Sequence, residues 1–135
     1  MGPLTVFVDS SVLIAVLSDE EDSAKWLAKL RETADKSTSA LVILETVMRL
    51  SSKIRGDPLK VEAIVRRLLA RFQVLVSPIG DLEATLAIEA FSLYGKGRGH
   101  PAQLNIADCL SYACAKSLAV PLLYKGDDFA RTDLA

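Results

Sequence analysis

Four apolar stretches of this chain each carry a carboxylate where a solvated loop charge would be out of place: Asp9, Glu45, Asp108 and the pair Asp127–Asp128. Asp9 closes the run VFVD, Glu45 sits inside SALVILETVMRL, Asp108 inside LNIADCLSYACA, and the last two acids follow VPLLYKG. Burying an isolated carboxylate costs on the order of several kcal/mol, so something positive must offset it. The first three have no Lys or Arg ahead of them within their own runs. A divalent cation solves the problem. Three or four carboxylates around one point suit Mg²⁺ or Mn²⁺, hard cations that prefer oxygen ligands. Such a site can orient a water and neutralise charge on a phosphodiester as its P–O bond breaks. That reaction needs no side-chain nucleophile, and the single histidine, His100, falls in a glycine-rich loop.

Each acid also has a plainer reading. Asp9 would be a strand-end turn residue, Glu45 an i,i+4 partner of Arg49, and Asp108 a first-turn acid favoured by a helix dipole. One of Asp127 and Asp128 would be a solvated turn charge. All these readings must hold together for the site to vanish. Among the cations, Lys96 and Arg98 in the loop GKGRGHP, with His100, suit an RNA backbone or simply solvent, and Lys125 beside the last acids is similar. Ser10 suits either a phosphate or metal-bound water, or a helix cap. Arg66, Arg67 and Arg71 read as an exposed helix face.

The elements that must bring these acids together alternate between strand and helix. Leu4–Val8 reads as a buried strand, with Ser10 or Ser11 capping the helix VLIAVL. The acids Asp19–Asp22 fit the first turn of a second helix, whose apolar face would be Ala24, Trp26, Leu27 and Leu30. Lys36–Thr38 is a connection with room for a very short strand. Ser39 caps an apolar helix from about residue 40 to 54. Pro58 suits the first position of a helix running to Phe72. Gln73–Val76 is a strand, 81–94 an amphipathic helix, 106–117 a helix with Asn105 as cap and Asp108 at its third position, and 120–124 a strand. Alternation with apolar strands predicts an α/β domain spanning residues 1–135, a three-layer α/β/α arrangement around a central, mainly parallel sheet. Ligands in such folds gather at the carboxyl ends of the strands, where Asp9 and Asp127–Asp128 would lie.

Composition narrows the classes. Half the 135 residues are apolar and 24% are charged, which fits a folded domain rather than disorder. A net charge of −1 lacks the overall basic signature of a protein gripping long nucleic acid, yet leaves room for acids and bases segregated on different faces. Cys109 and Cys114 lie five apart on one helix, about 500° of rotation, so they face different ways and no disulfide joins them. No basic leader precedes the first strand, and no apolar run reaches the roughly 18–20 residues a membrane span needs. A cytoplasmic protein with reduced thiols is expected. A Rossmann nucleotide site would need glycines after the first strand, and DSSVL has none. A haloacid dehalogenase site would need a second Asp where Ser11 stands.

With these residues laid out, the chain resembles a PIN-domain ribonuclease, of the VapC toxin type found in VapBC toxin–antitoxin systems. The resemblance spans nearly the whole chain and rests on VDSSVLIAVL, LVILETVMRL, GKGRGHPAQLNIADCLSYACAK and LLYKGDDFARTDL. It implies a PIN-like fold and RNA cleavage dependent on Mg²⁺ or Mn²⁺. It also implies catalytic and metal-holding acids at Asp9, Glu45, Asp108 and Asp128, with Asp127 as an alternative ligand. Many PIN domains carry their fourth acid where this chain has Gly126. Ser10, Lys96, Arg98 and Lys125 are the candidate substrate contacts. A VapB-type antitoxin and a homodimer follow from the resemblance too. A non-catalytic PIN-like module binding RNA or protein is the alternative.

Overall fold

The computed structural model describes residues 5–135. Leu4, expected to open the first strand, lies outside the described residues with Met1, Gly2 and Pro3. The chain runs β1 (Thr5–Val8), α1 (Ser10–Leu17), α2 (Ser23–Glu32), β2 (Asp35–Ser39), α3 (Ala40–Ile54), α4 (Pro58–Arg71), β3 (Val74–Ser77), α5 (Asp81–Tyr94), α6 (Ile106–Leu118) and β4 (Leu122–Leu123). The sheet order is β3-β2-β1-β4 and every pairing is parallel. Phe7 and Val8 point to opposite faces of β1, and both are fully buried, so helices cover the sheet on both sides. The core gathers Phe7, Val8, Leu13, Leu30, Leu50, Leu104 and Phe129.

Three expectations are corrected. The stretch expected as a connection with at most a very short strand, Lys36–Thr38, is the middle of a five-residue β2, an inner strand paired on both sides. Its polar side chains are buried because each has a partner: Thr38 Oγ1 donates to Val8 O at 2.9 Å, and Ser39 Oγ accepts from Val42 N at 3.2 Å. Strand burial here is made possible by hydrogen bonds rather than apolar content. The acids Asp19–Asp22 precede α2 instead of forming its first turn, and Ala24 is exposed. Glu20 and Asp22 bind Lys125, a full charge that outcompetes the partial charge of a helix end. Lastly, α5 is not amphipathic in place. Leu82, Ile88, Phe91 and Leu93 are exposed and Ala90 is its one fully buried residue.

The other elements form where their local chemistry says they should. Pro58 starts α4 behind an Asp57 cap, and Ser39 caps α3, whose buried stripe is Val42, Ile43, Val47 and Leu50. Cys109 and Cys114 are free buried thiols, and burial raises both pKa values.

Candidate active site

Parallel topology places the ends of β1 and β4 side by side, and the acid-bearing segments start there. Asp9 N–H donates to Leu123 O at 3.0 Å, which ties the first acid to the end of β4. The cap of α1 is Asp9 itself rather than Ser10 or Ser11: its Oδ2 accepts from Ser11 N at 3.1 Å and from Ser11 Oγ at 2.7 Å. Ser11 Oγ in turn accepts from Lys125 N at 2.9 Å. One serine hydroxyl thus joins the first acid to the segment carrying the last.

Glu45 stands half-buried in the middle of α3, and Ser10 Oγ donates to its Oε1 at 2.5 Å. Among the described residues it makes no ion pair with Arg49. Asp108 closes a reciprocal cap at the start of α6: its N–H donates to Asn105 Oδ1 at 2.9 Å, and its Oδ2 accepts from Asn105 N at 3.1 Å. Asp9, Ser10 and Asp108 are all buried.

A common pattern emerges. Asp9, Glu45 and Asp108 each have one carboxylate oxygen anchored by a neighbour, while Asp9 Oδ1, Glu45 Oε2 and Asp108 Oδ1 take no protein donor among the described residues. These free oxygens are not sealed in, because the one fully enclosed unpaired side-chain polar atom described is Ser51 Oγ. Anchoring one oxygen and leaving the other open to the cleft is how a carboxylate is readied for a cation.

Electrostatics link the acids to one another. Asp108 is pushed up to about 7, first by burial and then by the negative charges of Asp128, Asp9 and Glu45; its bond from Asn105 pulls the other way. Those four carboxylates therefore share one field, and Asp127 does not figure in it. Asp127 and Asp128 are both exposed, on a turn held down by Phe129, which is buried and packs edge-on against Tyr124 at 5.2 Å. Gly126 has φ +100°, a backbone where an Asp side chain would be strained.

Among the described residues no three His, Cys, Asp or Glu side chains stand close enough together to hold a metal ion as they are placed. The donor set nevertheless fits a hard divalent cation: all-oxygen, anionic, partly buried and destabilised by its own repulsion.

The expected substrate cations fare differently. Lys96 and Arg98 are exposed on the loop after α5, with the Arg98 guanidinium 5.7 Å from the Phe91 ring. Lys125 is committed elsewhere. Its ammonium bonds Asp22 at 2.8 Å and also Glu20, which raises its own pKa and lowers theirs. It acts as a strut between the α1–α2 connection and the acid-bearing turn. His100 is a loop brace: Nδ1 accepts from Ala102 N at 3.0 Å, and the ring meets Tyr94 edge-on at 4.9 Å. Sequence reasoning missed Ser11, Glu20 and Asp22. The hydroxyl two residues after a strand-end acid was the available signal for the first; the other two carry none.

The sequence profile of the PIN domain matches residues 6–134. Ribonuclease VapC28 of Mycobacterium tuberculosis is 39% identical over 127 residues, covering 94% of this chain and 93% of that relative. Among solved structures, Mycobacterium tuberculosis VapC20, a Sarcin-Ricin loop cleaving toxin, aligns with a TM-score of 0.74 at 18% identity over 93% of each chain. A toxin–antitoxin complex from Klebsiella pneumoniae gives 0.71 at 17% identity, covering 96% of this chain and 94% of the other. At those identities the two structures share the fold.

Proposed function

The chain belongs to the PIN domain family, among its VapC ribonucleases, and we propose that it is the endoribonuclease toxin of a toxin–antitoxin pair, working in the cytoplasm. The observation that supports this reading is the family match over residues 6–134, together with the anchoring of Asp9, Glu45 and Asp108 by one oxygen each and the negative charges of Asp128, Asp9 and Glu45 acting on Asp108. We assign Asp9, Glu45, Asp108 and Asp128 to the catalytic site, with Mg²⁺ the natural ion and Mn²⁺ a substitute. The bound cation would lower the pKa of a coordinated water and neutralise charge on the scissile phosphate. Asp9 and Asp108 supply the fixed, buried oxygens, and Asp128 completes the set from an exposed turn. Ser10 and Ser11 keep Glu45 and Asp9 in register, and Lys96 and Arg98 hold the RNA backbone from the exposed loop after α5.

A protein partner fits the neighbouring surface. A cavity of about 490 Å³ between α5 and α6, lined by Ile88, Phe91, Leu104, Ile106 and Leu110, opens beside Asn105. Ile106 is 78% exposed and Ile88 66%, an apolar patch suited to cover by an antitoxin segment or a second copy of the chain. The test of function is cleavage of a labelled RNA pool with Mg²⁺, Mn²⁺ or EDTA, comparing wild type with Asp9→Asn. Metal-dependent cleavage lost in the variant is expected. A folded wild type that binds Mn²⁺ and cleaves no RNA would replace this reading with a non-catalytic RNA- or protein-binding module.

A further inference from the structure

At the amino ends of the strands, opposite the acids, lies a cavity of about 340 Å³ lined by Arg31, Lys36, Arg71, Phe72 and Gln73. Its charged lining is entirely cationic. Lys36 is on β2, three residues before the carboxyl end at Ser39 and so about 10 Å away along the strand. Its side chain is buried, which is rare for a lysine without an acid partner. Among the described residues, neither it nor Arg31 nor Arg71 has a carboxylate within 4.0 Å. Lys36 Nζ donates one hydrogen bond among the described residues, to Thr33 O at 2.6 Å, leaving two of its three donors unassigned there.

The plain explanation is that these cations cap helix ends, since Arg31 and Arg71 stand in the last turns of α2 and α4 and Thr33 is the α2 cap. Magnitudes decide against its being sufficient. Two helix ends supply about half a negative charge each, roughly −1 in all, against three full positive charges. About two positive charges remain, around a concave space with a buried ammonium in its wall.

We propose that this cavity holds a phosphate group, contributed by the backbone of a bound RNA or by a free phosphate. The RNA source rests on the ribonuclease reading above, whereas the free phosphate does not. An RNA reaching both ends of the sheet must extend beyond the few nucleotides that span the acidic cleft, so the site would favour long or folded RNA.

The experiment has two arms on the full chain in EDTA. Inorganic phosphate is titrated while the backbone amide resonances of Lys36, Phe72 and Gln73 are followed, and the affinity for a labelled RNA hairpin is measured across salt concentrations. Wild type is compared with Lys36→Met and with Arg71→Gln, whose exposed position makes misfolding no concern. Phosphate is expected to shift those amides in wild type and much less in either variant. Hairpin affinity falling about tenfold, with a salt slope lowered by about one, identifies RNA as the source. Amide shifts with unchanged hairpin affinity identify a free phosphate. No amide shift and no change in hairpin binding overturns the proposal. Cleavage of a short single-stranded RNA, run alongside with Mg²⁺, tests the ribonuclease reading by itself: phosphate shifts with no cleavage would sink that reading and leave the cavity's role standing.

Discussion

The two ends of the sheet hold opposite versions of one problem. At the carboxyl ends, Asp9, Glu45 and Asp128 all act on Asp108 by their negative charge, and no ion pair reaches any of the four among the described residues. At the amino ends, Arg31, Lys36 and Arg71 share a cavity without an acid. The chain's net charge of −1 hides this segregation completely. Elsewhere the protein pairs its charges readily, as Lys125 does with Glu20 and Asp22, and Lys116 with Asp133. Where pairing is withheld, the charge stays open to a ligand, on the readings proposed for the two ends.

Breaking the acidic end should have the largest effect. Altering a residue that merely orients a ligand typically costs 10–100-fold in metal affinity or activity, so Asp9→Asn should lower cleavage by about 100-fold or more and remove the heat of Mn²⁺ binding in calorimetry. Next comes the exposed turn: Asp128→Asn should cost about tenfold in cleavage, and Asp127→Asn less than about twofold. Equal losses in the two variants would show that the turn presents either acid to the site.

Stability sharpens the comparison. Asp108 titrates near 7 in the fold against an ordinary 3.8, so the folded state holds its proton longer than the unfolded state. Stability should therefore fall as pH rises from about 4 to about 7 and stay level above that. In EDTA at pH 8, Asp108→Asn should melt several degrees higher than wild type, with the gain fading toward pH 4. Saturating Mn²⁺ should raise the melting temperature of wild type but hardly that of the variant. The smallest change belongs to the basic end. Lys36→Met replaces a buried ammonium with an apolar chain of similar length, so thermal denaturation at low salt should show a melting temperature unchanged or slightly raised. A marked drop would mean that the bond to Thr33 O, rather than an available charge, accounts for the buried lysine.

The sheet's outer logic was legible because apolar runs and caps are local signals. VFV marks a buried strand, and Ser39, Asp57 with Pro58, and Asn105 mark helix starts through neighbours within four residues. The full length of the strand DKSTS was not legible, because what makes it an inner strand is its pairing with β1 and β3 and the bond from Thr38 to Val8 O, 30 residues away. The exposed apolar face of α5 was equally hidden: periodicity shows that a side chain is apolar but not whether anything packs against it.

By itself, the sequence determined the alternation of elements, the parallel α/β class and the four acids that stand out from apolar surroundings, since each depends on residue type and near neighbours. Tertiary structure alone decided which charges meet. It brought Asp108 into the field of Asp9, Glu45 and Asp128, drew Lys125 away to Glu20 and Asp22, and left Arg31, Lys36 and Arg71 together without an acid. Coulomb interactions depend on distance and burial, and for residues tens of positions apart only the folded chain sets either one.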